Sequence, residues 1–331
     1  TESEQEGRKT VTVTVDTGKL VDQLNAGQDA PVVQIPVTSG ADQVSAVLTA
    51  EAVKAMENKQ AVLVVETDNG NYRLPAADLL IEQAAAAFGG QVNLADVIVT
   101  IEVAKGSEEQ AEQLRQIAEE SGFAVVVPPV EFTVKVSHAG TDLEIERFAA
   151  FVQREIPIPA GVDAGAVTTA VVLEKDGTVR HVPTYITQRD GVWYAVVNSL
   201  TNSAYSLVYH EAHFGDMDGH WAESAVHNLA SRKIVSGVGG GRFLPDAPVS
   251  RAEFAALLVR ALGLPERKGE VSFKDVRGND WFAGSAATSS EYGLVKGYAD
   301  GTFRPSETMT REAAMVMIVR AMKLAGMDRT I

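Results

Sequence analysis

Phe214-Gly215-Asp216-Met217-Asp218-Gly219-His220-Trp221-Ala222 finds an echo about sixty residues later, in Phe273-Lys274-Asp275-Val276-Arg277-Gly278-Asn279-Asp280-Trp281-Phe282. Setting Trp221 over Trp281 also places Gly237 over Gly297, Phe243 over Phe303, Pro245 over Pro305, Arg251 over Arg311 and Arg260 over Arg320. A single offset of sixty aligns all six pairs, which makes the C-terminal third an internal repeat.

Each unit follows one plan. A Trp opens a run of helix-favouring residues, closed by Ile234-Val235-Ser236-Gly237 or Leu294-Val295-Lys296-Gly297. A Gly-rich turn follows, Gly239 to Pro245 or Tyr298 to Pro305, and then a second helix. Ser250-Arg251-Ala252-Glu253 fits a capping box, in which the Ser oxygen takes the amide of the third helical residue and Glu253 reaches back. Phe254, Leu257, Leu258 and Ala261 recur at helical spacing, as one buried face requires. In the second copy Thr310 is the cap, Ala313 replaces the box glutamate, and Met315, Val316, Val319 and Met322 form the apolar stripe. Ala287-Thr288-Ser289-Ser290 stands where the first copy has His227-Asn228-Leu229-Ala230, so the first helix of the second unit is less apolar and its packing is in question.

Phe-x-Asp-x…Trp-Ala, Gly297-Tyr298-Ala299-Asp300-Gly301-Thr302-Phe303-Arg304-Pro305, Ser250-Arg251-Ala252-Glu253 and Thr310-Arg311-Glu312-Ala313 together closely resemble the S-layer homology (SLH) module of bacterial cell-surface proteins. The resemblance covers roughly 214–323. It implies helix pairs assembled as a three-lobed prism, normally from three consecutive repeats. It also implies non-covalent binding of secondary cell-wall polysaccharide, commonly carrying pyruvate ketals, in grooves between neighbouring lobes. The segment before the repeats is similar, more loosely, to the extended modules that precede SLH repeats in spore-forming Gram-positive bacteria; that likeness brings no activity with it. Only two repeats are complete, so the third lobe is expected either from a continuation beyond a truncated or proteolysed piece, or from another molecule.

Chemistry at the repeated positions admits a binding and a structural reading. Arg251 and Arg311 sit just inside helix starts, where backbone amides favour negative charge, and a guanidinium fork holds a carboxylate bidentately. The alternative is an ion pair with Glu253, Asp218 or Asp275 that locks the turn. Trp221 and Trp281 offer flat faces for sugar C–H groups; ordinary core filling is the alternative. Gly237 and Gly297 read as left-handed helix ends, and the resemblance also places this Gly beside the ligand groove. Asp300-Gly301 reads as a tight turn, with ligand contact at Asp300 a second option. Asp216 and Asp275 read as caps of local backbone. Asp216-Met217-Asp218-Gly219 begins like a calcium loop, but the remaining ligands and the terminal Glu are missing.

The 331 residues are 45% hydrophobic, enough for two or three cores. There is no cysteine, hence no disulfide or thiolate chemistry. No run of eighteen apolar residues is present to span a membrane. The chain begins Thr1-Glu2 with no signal peptide and reads as a mature or excised piece of something longer. Net charge is −15, unevenly placed: residues 214–331 hold 15 Lys and Arg against 14 Asp and Glu, while residues 1–213 hold 14 against 30. The acidic anterior part repels nucleic acid and anionic lipid; the near-neutral repeats with placed arginines tolerate an anionic polymer.

Alternating Thr10–Val15, then Val32–Val37 and Gln43–Leu48, predict strands around a short helix at Lys19–Leu24, with Ala50–Glu57 helical. Val62–Thr67 and Tyr72–Leu74 form a hairpin across Asp68-Asn69-Gly70-Asn71. Pro75–Phe88 reads as one Ala-rich helix ending at Gly89-Gly90, followed by a strand at Asp96–Val103. Ser107–Ser121 predicts an amphipathic helix, and Phe123–Val127, Val130–Val136, Phe148–Ile156, Thr168–Glu174, Thr178–Gln188, Val192–Asn198 and Tyr205–His210 predict an antiparallel β meander against it. A nucleophile elbow, a phosphate loop and His-Glu-x-x-His are all missing. His210 and His213 at a strand end make a poor metal pair, and His138 and His181 lack a Ser or Cys partner. Glu144 and Glu146, with Asp142, read as a solvated face rather than glycosidase carboxylates.

The expected architecture is multi-domain α+β. A mixed α/β module spans 9–104, a helix-plus-β-meander module 105–213, and an all-α repeat region 214–264 and 273–323, with the start of a truncated third repeat at 324–331. The expected function is non-catalytic anchoring at the cell wall or S-layer of a secreted protein. Trp221, Gly237, Arg251, Trp281, Gly297, Asp300 and Arg311 would touch the polysaccharide, and no metal or cofactor takes part. Part of a surface-attached glycoside hydrolase and a self-assembling S-layer subunit are the alternatives. The expected partners are secondary cell-wall polysaccharide and either a second copy or a third lobe from another molecule.

Overall fold

The computed structural model describes residues 1–5, 7–27, 30–89, 92–174, 176–267 and 272–327. Gly90 and residues 328–331, on which two sequence expectations fall, lie outside the described residues. The chain opens with β1 (Glu2–Gln5), β2 (Arg8–Thr14), α1 (Thr17–Ala26), β3 (Val32–Val37), β4 (Gln43–Thr49), α2 (Ala50–Asn58), β5 (Val62–Thr67), β6 (Asn71–Pro75), α3 (Ile81–Ala86) and β7 (Ile98–Lys105). Then come α4 (Glu108–Ser121), β8 (Ala124–His138), β9 (Thr141–Glu144), β10 (Arg147–Pro157), β11 (Thr169–Leu173), β12 (Val179–Val182), β13 (Thr184–Arg189), β14 (Val192–Thr201) and β15 (Ala204–Tyr209). The repeats contribute α5 (Glu223–Ser231), α6 (Arg251–Ala261), α7 (Ala283–Glu291) and α8 (Arg311–Leu324). Two isolated β-bridges, Gly239 to Arg242 and Ser250 to Thr308, accompany these four helices.

Two sheets make a mixed α+β body. One runs β1-β2-β4-β7-β8-β15-β11-β12 with β9 on β8; the other runs β13-β14-β10-β6-β5-β3. The chain weaves between them at the start: β2 and β4 pair in parallel in the first sheet, β3 and β5 in the second. The expected boundary near residue 104 is crossed by both sheets, since β7 pairs with β8 and β6 pairs with β10. One apolar core containing Val44, Leu63, Ile101, Val134, Val152 and Leu207 spans both segments. The expected meander is likewise split. Pro183 has no N–H to continue a ladder, and the chain changes sheets there, β12 pairing with β11 and β13 with β14.

Three local expectations are corrected. Pro75–Phe88 is not one helix: a 3-10 turn at Ala76–Leu79 meets α3 at Leu80, which stands in the left-handed region at φ 46°. Pro128-Pro129 does not separate two strands, because β8 runs through both, with its register against β15 shifting between Tyr205 and Leu207. The stripe Met315, Val316, Val319 and Met322 does not face the core. These side chains are exposed, and α8 buries Met317 and Ala321 instead. In α6 the most buried residues are Ala252, Ala255, Ala256 and Val259, while Leu257 and Ala261 pack at the edge of a smaller cluster around Ala230, Ile234 and Val235.

The polar composition of α7 is explained by close packing. Ser285, Ala286, Thr288 and Ser289 are buried, and Ala283 and Ala286 share a cluster with Ala252 and Ala255 of α6. Small side chains let two helices approach, and each hydroxyl finds a partner. Ser285 donates to Glu266, Thr288 Oγ1 accepts from Arg267 N at 2.8 Å, and Ser289 donates to Ala286 O at 3.0 Å. The repeats dock directly on the body. Leu200 and Phe151 pack with Val259, Leu262, Leu264, Leu294 and Ala321; Arg180 donates to Gly263 O, and Arg232 to Thr184 O at 3.1 Å.

Candidate functional site at the junction of the two repeats

In each repeat an Asp carboxylate organises the Gly-rich turn. Asp216 accepts from Phe243 N and Leu244 N, both at 2.8 Å; Asp275 accepts from Phe303 N at 2.7 Å and Arg304 N at 2.8 Å. The amide of Phe243 holds the Asp216 carboxyl below its ordinary range. These bonds keep Leu244 and Arg304 in the left-handed region, at φ 63° and 59°.

Gly237 and Gly297 are needed for a different reason from the one expected. Neither has positive φ; the left-handed residues after the first helices are Lys233 and Gly293. A Cβ on Gly237 would lie 2.6 Å from Phe214 Cε1, and one on Gly297 2.6 Å from Phe273 Cε1. The opening Phe of each repeat therefore fills the space beside the glycine, and a methyl group has no room.

The start of α6 is built into the second repeat. Ser250 and Glu253 close the expected capping box. The amides of Arg251 and Ala252, which a helix N-terminus leaves unpaired, donate to Glu307 O at 2.8 Å and Pro305 O at 3.0 Å. Arg251 Nη2 donates to Lys296 O at 2.9 Å, its guanidinium carbon stands 5.2 Å from the Tyr298 ring centre and 5.3 Å from that of Phe303, and its Nε is buried without a partner. None of the carboxylates expected as an alternative partner pairs with it among the described residues. Arg311 is exposed and has no hydrogen-bond or ion-pair partner among the described residues.

Around Arg251 the turn of the second repeat gathers groups that sequence reasoning missed. Arg304 lies 3.8 Å from the Tyr298 ring centre and donates to Asp300 Oδ2 at 3.2 Å. Tyr298 donates to Glu307 at 2.6 Å, which pushes its hydroxyl pKa up. Lys274 donates to Asp300 O at 2.9 Å. Asp300 also accepts from the amide and hydroxyl of Thr302, and these bonds lower its pKa to about 2. Tyr298 and Arg304 were legible in principle, since both stand inside the quoted Gly-Tyr-Ala-Asp-Gly-Thr-Phe-Arg-Pro segment.

Both indoles face solvent, Trp221 at 90% and Trp281 at 62% exposure, so neither fills a core. Trp281 meets Phe282 edge-on, and Phe282 stacks on Phe303, so a relay of rings joins this indole to the Arg251 cluster. Trp221 touches only the ring of His220 among aromatic neighbours described. The structure thus gathers Arg251, Gly297 and Asp300 with Trp281 reached through the rings, and leaves Trp221, Gly237 and Arg311 apart from them.

Elsewhere, a cavity of about 970 Å³ lies at the seam between body and repeats, lined by Glu144, Glu146, Arg147, Lys233, Arg260 and Glu266 among others. Lys233 is half-buried with its Nζ 4.7 Å from the Phe123 ring centre, and burial lowers its pKa. His210 contacts Ser231 O at 3.0 Å, while His213 lies tilted against His227 with ring centres 4.6 Å apart. No helix among the described residues is long and apolar enough to cross a membrane.

With this geometry in place, known proteins give a direct comparison. Residues 213–255 and 272–315 each match the family described as S-layer homology domain. These are S-layer homology repeats. The chain is 37% identical over 138 residues to a surface layer protein of Brevibacillus choshinensis, covering 38% of this chain and 12% of that protein. It is 24% identical over 326 residues to an amylopullulanase of Thermoanaerobacterium thermosulfurigenes, covering 95% of this chain and 15% of that protein. It is 30% identical over 119 residues to a cellulosome-anchoring protein of Acetivibrio thermocellus, covering 34% of this chain and 26% of that protein. The chain therefore spans a small part of each of these relatives. The SLH repeats and these likenesses place it at the bacterial cell surface, in the cell wall, with an anchoring role.

Proposed function

We propose that the helical SLH repeats bind an acidic secondary cell-wall polysaccharide non-covalently, and that the acidic two-sheet body is a non-catalytic spacer. The observation that carries this reading is the cluster at the repeat junction. Arg251 and Arg304 both lie against the Tyr298 ring, Lys274 and Arg304 both bond Asp300, and the buried Arg251 Nε is left without a partner among the described residues. Two guanidinium groups at one ring, with the exposed Trp281 indole reached through Phe282, suit a carboxylate-bearing sugar such as a pyruvyl ketal. Gly297 admits the backbone close to the rings, and Trp281 extends the apolar face.

Purified chain is expected to sediment with isolated cell wall and to be released when the wall polymer, or its pyruvate alone, is removed. Arg251→Ala combined with Arg311→Ala should abolish co-sedimentation; unchanged binding by that variant would reject the arginine assignment.

A second reading has its own support. The likeness to the amylopullulanase runs through the body as well as the repeats. We infer that this body-plus-repeat arrangement also serves as the surface-attachment part of polysaccharide hydrolases. Hydrolysis of starch or wall glycan by this chain, lost on changing Glu144 or Glu146 to Gln, would instead make the body itself catalytic.

A further inference from the structure

Strands β14, β10 and β6 lie side by side in the second sheet, and their registers set Asn198 beside Gln153 and Gln153 beside Arg73. Their chain neighbours Val197, Arg154 and Tyr72 are fully buried, so alternation along each strand turns this row of three to the outer face. All three residues are half-buried, and none of their side chains has a hydrogen-bond or ion-pair partner among the described residues. Neighbouring strands stand about 4.8 Å apart, so the row offers unused donors and acceptors across about 10 Å.

The adjoining row is already satisfied. Tyr185 of β13 stands beside Val196, Val196 beside Glu155, and Glu155 beside Asn71. The Glu155 carboxylate accepts from Asn71 at 2.8 Å and from Arg189, whose guanidinium carbon lies 5.1 Å from the Tyr194 ring centre. Tyr185 and Tyr194 sit diagonally on β13 and β14, on the same face, with Tyr185 51% exposed. Further along β14, Leu200 packs with Phe151 against Val259, Leu264 and Leu294 of the repeats, so this face begins at the seam with the repeats and runs outward from it.

Charge selects the class of ligand. On this face Arg73 and Arg189 are matched by Glu66 and Glu155, whereas residues 1–213 as a whole hold 14 basic against 30 acidic side chains. A polyanion finds no surplus of cations here, and a polycation no surplus of carboxylates. The backbone groups of β14, β10 and β6 are used by the sheet, so an extended peptide has no open edge to join at this row. An amide offers a donor and an acceptor together, as a sugar hydroxyl requires, and a Tyr ring takes the apolar C–H face of a sugar.

We propose that the outer face of the second sheet binds an uncharged polysaccharide, one stretch lying across β14, β10 and β6 with a sugar ring against Tyr185. The surface is separate from the Arg251 cluster and stands independently of the anchoring reading. It gives the body a task beyond spacing.

Native electrophoresis through gels that each contain one uncharged polymer (soluble starch, mixed-linkage β-glucan or galactomannan) tests this. The intact chain should be retarded in at least one of them. Tyr185→Ala removes the ring from an exposed edge position, while Gln153→Met with Asn198→Leu keeps the bulk and removes the hydrogen-bonding groups. Each should weaken the retardation by about tenfold or more, with urea midpoints close to that of the parent. Arg251→Ala with Arg311→Ala should leave it unchanged. Migration unaffected by all three polymers overturns the proposal, and so does retardation that survives both face variants. Loss of retardation in the arginine variant with retention in the face variants also overturns it, since glycan binding would then lie in the repeats alone.

Discussion

Arg251 of the first repeat donates to the carbonyl oxygen of Lys296 in the second at 2.9 Å, so the side chain proposed to meet the ligand is also a strut between repeats. The two roles separate by substitution. Arg251→Ala removes the strut, the contact with Tyr298 and the ligand charge together, and should lower both wall affinity and melting temperature. Arg251→Lys keeps a point charge but loses the planar fork, so affinity should fall while most stability stays. Arg311→Ala, at an exposed position, should leave the melting temperature unchanged. Losing a charged hydrogen bond to a carboxylate costs about 1.5–3 kcal/mol, or roughly ten- to a hundredfold in affinity. Titration of each variant against solubilised wall polymer, beside a thermal melt, reads both quantities.

Gly297→Ala should destabilise the second repeat by about 1–3 kcal/mol, because its new methyl group meets Phe273 Cε1 at 2.6 Å with the ring already packed against Phe303. Gly237→Ala has the same collision with Phe214 and, in addition, a backbone oxygen of Arg242 at 2.5 Å. The larger loss is therefore expected at Gly237. Urea unfolding followed by tryptophan fluorescence measures both, and an alanine at either place as stable as glycine would contradict the close-approach argument.

The duplicated C-terminal third was legible because its signals are local. Capping boxes, turn glycines and the Phe-x-Asp start are short-range patterns, and Ser250 with Glu253 forms the box the spacing implies. What could not be read was which side of α8 faces inward. Periodicity identifies an apolar face but not its partner, and the same spacing describes buried Ala255 and Ala256 and exposed Met315 and Val316. Strands in the body were mostly placed correctly along the chain, as at Val32–Val37 and Gln43–Thr49. Their sheet membership was hidden, because the weave from β2 to β5 and the change of sheet at Pro183 depend on pairings between distant residues. The cluster at the repeat junction was half legible. Arg251 and Gly297 were singled out, whereas Tyr298 and Arg304 gain meaning only once the first repeat lies against their turn.

Arg154 predicts how the body responds to loss of a buried charge. Fully buried, it pairs with no carboxylate among the described residues; carbonyl oxygens of Val152, Ser199 and Thr201 and the Asn202 amide oxygen accept its protons, and the Tyr72 and Tyr205 ring centres lie 4.9 and 5.0 Å from its guanidinium carbon. Arg154→Ala opens a cavity and strands those acceptors, for an expected loss of about 3–5 kcal/mol. Arg154→Met refills much of the volume but leaves the acceptors unpaired, so a smaller loss, about 1–3 kcal/mol, should remain. Chemical denaturation of both variants checks the order; a methionine variant no less stable than the parent would show that the polar cluster contributes nothing net.

His181 sets an acid limit on the same body. It is buried beside Thr169, whose hydroxyl lies 2.7 Å from Nδ1, and burial together with the charges of Arg232 and Arg180 lowers its pKa from 6.5 to about 3. The unfolded chain therefore binds a proton near pH 6.5 that the folded chain refuses until about pH 3. Its stabilising effect is fully present above pH 6.5 and is lost as the pH falls towards 3, by roughly 4 kcal/mol across that window. Replacing it with a side chain that does not titrate should flatten this part of the curve: His181→Leu is expected to lose some stability at pH 8 and to change less than the parent between pH 6.5 and 4. Denaturation midpoints measured across that range decide it, and parallel curves for the two proteins would show that His181 is not the group responsible.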